Sequence, residues 1–173
     1  VQLYSIDYST NTYSLDYEKR VETGEDYNYG RDVAVNYDGS VMAYSYGGDQ
    51  TVEITEDTAT KQIARVVVYT KDASGNWNTL PDITLKGDEY YDLVDGTIGN
   101  ELAQFMSGFG ASVELDASGN TLVIASHNNQ NWVGIRVFVK LGGVWSSYYK
   151  TGGATKSIGN NIYLNDVDIT ANG

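Results

Sequence analysis

The feature that most constrains the fold of this chain is an eleven-residue pattern that occurs three times. Each copy begins with an aromatic residue, carries apolar residues at its fifth and seventh positions, and has glycine at its eleventh. The copies are FGASVELDASG at 109–119, YGRDVAVNYDG at 29–39 and YLNDVDITANG at 163–173. Because such a pattern marks one supersecondary unit used repeatedly, the chain is predicted to be a repeat protein whose units cover one another.

The sequence that follows the glycine also repeats. VMAYS at 41–45 corresponds to LVIAS at 122–126, and VVVYTKDASGNW at 66–77 corresponds to IRVFVKLGGVW at 135–145. The stretch 1–13 fits the second of these patterns. The predicted organisation is a half unit at 1–28, a unit at 29–86, an insertion at 87–108, a unit at 109–150 and the start of a further unit at 151–173.

Each unit is predicted to contain four antiparallel strands. Strand one alternates apolar and polar residues, and a glycine turn leads from it into strands two and three, which are continuous apolar runs. A second turn leads to strand four, which carries an aromatic residue. The pattern therefore predicts an all-β fold of antiparallel four-stranded blade-like repeats, part of a β-propeller, with a β-solenoid or sandwich of repeated hairpins as the alternative. The residues Val113, Leu115, Leu122 and Ile124 are expected to be buried with Val137.

The stretch FGASVELDASGNTLVIAS, followed by GIRVFVK and a tryptophan, resembles the repeats of the FG-GAP-like family. The matching residues are Phe109, Gly110, Ser112, Val113, Leu115, Gly119, Asn120, Leu122 and Ile124. The copy at 29–39 matches at Tyr29, Gly30, Val33, Val35 and Gly39, whereas Leu164 replaces the second-position glycine in the third copy. The resemblance implies a β-propeller in an extracellular, cell-surface or virion protein. The D-x-D-x-D-G calcium loops of integrin-type relatives have no counterpart in the turns at 36–40 and 116–120.

Too few units are present for a closed ring, because propellers typically use about four to eight blades. The half unit supplies strands three and four, and the third copy of the pattern supplies strand one and its turn. We therefore expect unpaired strand edges, to be completed by flanking sequence of a longer chain or by other copies of the protein, in a ring or a filament.

The net charge of −12 and the pI near 4.2 limit the classes of partner. Such a surface repels phosphate backbones and anionic membranes, so we expect no nucleic-acid binding. No apolar run approaches the roughly 18 residues that a membrane span requires, so no membrane insertion is expected either. The chain has no cysteine, which excludes disulfide bonds.

The insertion at 87–108, the second of two in the chain, carries a group of acidic residues that could bind Ca²⁺, since this cation takes oxygen ligands. The candidate ligands are Asp88, Glu89, Asp92 and Asp95. The competing interpretation is solvated surface charge, because DLVDG lacks the spacing of an EF-hand loop. No other cofactor is predicted. The first insertion, 46–63, is also acidic, and a short helix is expected around 100–106.

The residue pattern favours a non-enzymatic function. His127 is the single histidine, and the chain has neither a cysteine nucleophile nor a G-x-S-x-G motif. We therefore expect a structural or adhesive module that associates with itself outside the cell. The alternative is a carbohydrate-binding module in which loop aromatics stack on sugar rings. Its candidate residues are Tyr90, Tyr91 and Trp132, with Tyr148 and Tyr149 as further exposed aromatics.

Overall fold

The computed structural model describes residues 1–7, 9–18, 32–46, 64–86, 109–127, 132–154 and 166–173, with the backbone alone at 86, 127, 132–133 and 150–154. These ranges contain ten strands and no helix. The strands are β1 (Gln2–Asp7), β2 (Thr12–Glu18), β3 (Val33–Val35), β4 (Val41–Tyr46), β5 (Arg65–Thr70), β6 (Ile83–Lys86), β7 (Phe109–Leu115), β8 (Thr121–His127), β9 (Trp132–Leu141) and β10 (Val144–Ala154).

The strands form three open antiparallel sheets. The amino-terminal hairpin consists of β1 and β2, the first sheet has the order β3-β4-β5-β6, and the second sheet has the order β7-β8-β9-β10. Each four-stranded sheet is therefore a meander in which every strand pairs with its neighbour in sequence. The predicted all-β fold with antiparallel four-stranded units is confirmed.

The turn after the first strand of each sheet is built on a buried polar side chain. Asp116 is 4% exposed, and its Oδ1 accepts hydrogen bonds from the backbone N–H groups of Asn120 and Thr121, both at 2.8 Å. Asn36 Oδ1 makes the same pair of bonds in its own turn, at 2.9 and 2.8 Å. Because the side-chain oxygen satisfies N–H groups that the tight turn would otherwise leave unpaired, the eighth position of the pattern requires a carboxylate or an amide in these two units.

The middle strands are buried on both faces, which explains their continuous apolar sequence. Val41 and Ala43 of β4 pack with residues of the second sheet, whereas Met42 and Tyr44 pack with the amino-terminal hairpin. The core between the two sheets contains Ala34, Val41, Ala43, Ala64, Val66, Val68, Leu85, Phe109, Val113, Leu115, Leu122, Ile124 and Phe138. The hairpin, the first sheet and the second sheet are thus successive layers.

Tyrosines join the amino-terminal hairpin to the first sheet. The rings of Tyr44 and Tyr69 are stacked with centroids 5.9 Å apart, and Tyr17 of the hairpin lies 5.6 Å from Tyr69 and 6.0 Å from Trp77. Burial raises the pKa of Tyr17 to about 12, and its hydroxyl exchanges hydrogen bonds with the other two tyrosines. The aromatic side chains of Tyr44, Tyr69 and Phe138 are all buried.

The expected burial of Val113, Leu115, Leu122 and Ile124 is confirmed, but the placement of Val137 with them is wrong. Val137 pairs with Val123, whose side chain faces away from the first sheet. The neighbouring Phe138 pairs with Leu122 and takes the inward position. Because successive residues of a strand point to opposite faces, Val137 and Phe138 cannot share one core.

Two further elements differ from the sequence-based expectation. Trp77 precedes strand four of the first sheet and pairs with Lys71 in an isolated bridge. Pro81, which has no N–H to donate, lies between this bridge and β6, so the ladder is interrupted there. Within the described part of the third copy, 166–173, no strand forms, although the backbone N–H of Gly173 closes the expected turn onto Thr170 at 3.0 Å.

Leu122 and Leu141 provide a matched test of the core. Leu122 is fully buried between the sheets, whereas Leu141 is 71% exposed. We expect Leu122→Ala to lower the free energy of unfolding by about 2–5 kcal/mol, because it leaves a cavity, and Leu141→Ala to change it little. Chemical denaturation of both variants measures the difference, and equal losses would show that the assigned core is wrong.

Candidate functional site

The predicted calcium and sugar sites lie outside the described residues. This applies to Asp88, Glu89, Asp92, Asp95, Tyr90 and Tyr91, to the helix expected around 100–106, and to the acidic residues of the first insertion. The backbone of Trp132 begins β9 opposite Ala154. These sites stay predictions. The candidate functional site that the described residues do form consists of the contacts between successive units.

The turn glycine of each later unit packs against the start of strand two in the preceding unit. A Cβ placed on Gly119 would lie 2.7 Å from Val41 Cγ2, and one placed on Gly173 would lie 2.9 Å from Thr121 Oγ1. Val35 pairs with Met42 and Leu115 with Leu122, so Val41 and Thr121 are equivalent, each two residues after the turn glycine of its own unit. The alignment of 41–45 with 122–126 that the sequence suggested is therefore wrong by one residue. One close contact is thus used twice along the stack.

Backbone hydrogen bonds link the same turns. The N–H of Tyr37 donates to the carbonyl of Ala117 at 3.3 Å, and the N–H of Ala117 donates to the carbonyl of Ala171 at 3.2 Å. All three residues stand at the ninth position of the pattern. The turns of three successive units therefore form a directional chain in which each unit donates to the next.

The aromatic–glycine pair at the start of the second unit is a packing device. Phe109 is fully buried in the core between the sheets. Gly110 has φ +75°, and a Cβ there would lie 2.6 Å from Ser45 Cβ and 2.8 Å from Val66 Cγ2 of the first sheet. The glycine lets the backbone of β7 approach that sheet at a distance that no side chain allows.

A lysine of each unit reaches an aspartate of the preceding layer. Lys71 Nζ lies 3.6 Å from Asp16 of the hairpin, and Lys140 Nζ lies 3.0 Å from Asp82, which precedes β6. Each lysine also lies over a tryptophan of its own unit, Lys71 at 5.0 Å from the Trp77 ring centroid and Lys140 at 5.8 Å from that of Trp145. The cations therefore connect layers through ion pairs and cation–π contacts.

The Asp82–Lys140 pair is partly shielded from water, although Asp82 as a whole residue is exposed. The side chains are 19% and 18% exposed, respectively. Burial raises the pKa of the Asp82 carboxyl, but hydrogen bonds from Thr70 and Lys140 and the lysine charge outweigh it, so the pKa lies below its usual value. The carboxylate is ionised at neutral pH and fixes the lysine between the sheets.

Acidic residues at the strand-one positions of the repeat pattern converge across the units. Asp32 Oδ2 accepts a hydrogen bond from the backbone N–H of Val113 at 2.7 Å, and Asp166 Oδ1 accepts one from Ser112 Oγ at 3.2 Å. Burial raises the pKa of Glu114, and the charges of nearby carboxylates, those of Asp32, Asp168 and Asp166, raise it further. In the described ranges, no three potential ligands are grouped so that they could hold a metal ion. Because the carboxylates of the neighbouring units raise the pKa of Glu114, they repel its ionised form across the contact between units.

The first unit presents the same turn and strand-one positions to solvent. Val33 and Val35 of β3 are 45% and 43% exposed, whereas their equivalents Val113 and Leu115 are buried. A Cβ placed on Gly39 would meet no heavy atom within 4 Å. We call Val33, Val35, Gly39 and the carbonyl of Tyr37 the open face.

Sequence reasoning missed the lysine–aspartate pairs. The alignment of 66–77 with 135–145 already placed Lys71 and Lys140 at one position, which was the available signal. Their partners could not be found in this way, because Asp16 lies in a strand and Asp82 lies before one. The aromatics Tyr148 and Tyr149 of β10 are 80% and 53% exposed, as a binding surface requires.

In comparisons with known proteins, no family model, no curated protein and no solved structure matches this chain. A search of the described residues finds no helix with the length and apolar character of a membrane span.

Glu114→Gln should stabilise the protein at neutral pH. The raised pKa means that ionised Glu114 is less favourable in the folded than in the unfolded chain. The gain should be absent below the unfolded pKa of about 4.3, appear as the pH rises through it, and be complete above the folded pKa. Urea denaturation at pH 7 and pH 4, at low protein concentration because the pI is near 4.2, measures it.

Asp38→Asn is the control of opposite sign. Hydrogen bonds from the side chain and backbone of Ser40 lower the pKa of Asp38, so its ionised form favours the folded state. We expect this variant to lose stability at pH 7, and the loss to disappear as the pH falls through the lowered pKa. A gain at Glu114→Gln that is the same at both pH values would contradict the electrostatic explanation.

Proposed function

We propose that this chain is a non-enzymatic structural or adhesive module, in which FG-GAP-like units form part of a β-propeller and associate with further units outside the cell. The observation that carries the proposal is the repeated set of contacts between layers: the turn glycine, the ninth-position hydrogen bond and the lysine–aspartate pair. Contacts that recur at equivalent positions in successive units are those of an array that buries its faces by stacking.

Apart from the lysine–aspartate pairs, the distribution of charge supports association by shape and apolar contact rather than by attraction between oppositely charged surfaces. The chain carries 23 acidic and 11 basic side chains. Two of the lysines, Lys71 and Lys140, lie between layers. A strongly acidic surface favours solubility and opposes non-specific contact, so specific pairing of units depends on their complementary faces.

Carbohydrate binding is a second candidate, favoured by the exposure of Tyr148 and Tyr149. Both lie on β10, at the outer edge of the second sheet. Exposed aromatic rings on a rigid strand present flat apolar surfaces at little cost in side-chain entropy. Stacking of such rings against a sugar is the chemistry that this candidate requires.

Sedimentation velocity and a glycan array distinguish the two candidates. The proposed function predicts that the average mass of the protein rises from micromolar to near-millimolar concentration, and that the array gives no signal. A protein that remains monomeric at every concentration would contradict the proposed self-association. Array binding that Tyr149→Ala removes, while Tyr37→Ala at the 92% exposed Tyr37 does not, would establish the alternative.

A further inference from the structure

We infer that the open face and the free edge of β1 together bind the strand-one–strand-two hairpin of a further repeat unit. The inference rests on the proposed function and names the segment of the partner that makes the contact. Its ligand is a β-hairpin with the chemistry of residues 109–127 of this chain, FGASVELDASGNTLVIASH.

The first argument is the contrast between equivalent positions. The strand-one residues of the second unit, Val113 and Leu115, are 0% and 7% exposed because the first sheet covers them. The same positions of the first unit, Val33 and Val35, are 45% and 43% exposed. The sequence keeps branched apolar residues at both places, so the exposed pair has the composition of a surface that another sheet covers.

The second argument is the turn. Gly119 and Gly39 both have φ +71°, yet Gly119 lies against Val41 whereas the space above Gly39 is open. The carbonyl of Ala117 accepts the N–H of Tyr37 from the preceding unit. The equivalent carbonyl, that of Tyr37, accepts no backbone hydrogen bond from the described residues. The open face thus offers both the space and the acceptor that the repeated contact uses.

The third argument identifies which strands are accommodated. The amino-terminal hairpin already covers Tyr44 and Tyr69 on the same side of the first sheet, and by sequence it corresponds to strands three and four of a unit. Within the described structure, β1 pairs with β2 and its other edge has no partner strand. In each four-stranded sheet, strand two of the unit pairs with strand three. Since β1 corresponds to strand three, its free edge can pair with strand two of a further unit, and strand one of that unit would lie beyond it.

The chemistry of the contact restricts the occupant. In the two observed contacts the residue against the turn glycine is β-branched, Val41 or Thr121. Small or branched residues follow it on the same face, Ala43 after Val41 and Val123 after Thr121. The occupant therefore needs a β-branched residue at the start of strand two and small or branched residues along the same face, which is the pattern of this repeat itself.

The test uses the full chain and a fluorescently labelled peptide of sequence 109–127, with binding measured by anisotropy. The blocking variant is Gly39→Asn and its matched control is Gly75→Asn. Both glycines have positive φ and open space around them, but Gly75 lies in the turn at 72–76, which is not part of the open face. Asparagine tolerates this backbone, as Asn11 with φ 52° shows in the same chain.

We expect the peptide to bind the unmodified protein and Gly75→Asn equally, and Gly39→Asn about tenfold more weakly or worse, since the added side chain fills a close contact. Melting curves of both variants verify that they are folded. Hydrogen exchange should show protection of the β1 amides when the peptide is present.

Several outcomes would overturn the inference: no binding to the unmodified protein, equal binding to Gly39→Asn, or equal binding of a peptide with the same residues in scrambled order. Each of these is compatible with concentration-dependent association in sedimentation, so the proposed function would survive it. Conversely, a protein that is monomeric yet binds the peptide at the open face would support this inference and contradict the proposed self-association.

Discussion

The close approach of strand one to the preceding sheet is the contact on which the rest of the structure depends. A Cβ at Gly119 or Gly110 would lie within 3 Å of residues of the first sheet. The second sheet can pack this closely because both residues are glycines, which have a hydrogen atom in place of the side chain. At that separation Phe109, Val113 and Leu115 become buried, and apolar burial is the dominant favourable term in folding. The signature glycines are thus a requirement of packing between layers.

A strongly acidic chain can form closely packed layers only if the carboxylates near the contacts have partners. Carboxylates at the strand-one positions of the pattern converge near Glu114, and burial and these neighbouring charges raise the pKa of Glu114. Elsewhere Asp116 is buried but accepts hydrogen bonds from its own turn, and Asp82 is paired with Lys140. Burying a carboxylate that is hydrogen-bonded or paired costs little, whereas ionised Glu114 opposes the contact, so we expect the stability of the contact between units to depend on pH.

Much of the fold could be predicted from the sequence because one pattern recurs in register. Recurrence at fixed spacing identified the strands, the turns and the buried positions of β7 and β8, since each copy repeats the same alternation. It failed at Val137, where a continuous apolar run gives no indication of which residues face inward, and at Trp77, where Pro81 interrupts the ladder. The lysine–aspartate pairs and the open face depend on which layers meet, and a single unit's sequence does not contain that information.

The measurement that tests this account most directly is the difference in unfolding free energy between Gly119→Ala and Gly39→Ala. Both positions have φ +71°, so the cost of placing alanine in that backbone is common to the two variants. At Gly119 the methyl group also meets Val41 at 2.7 Å, whereas at Gly39 it meets open space. The account predicts that Gly119→Ala loses about 1–3 kcal/mol more than Gly39→Ala, the usual cost of overpacking. Equal losses would show that the turn glycine serves its own turn alone and that the layers do not depend on it.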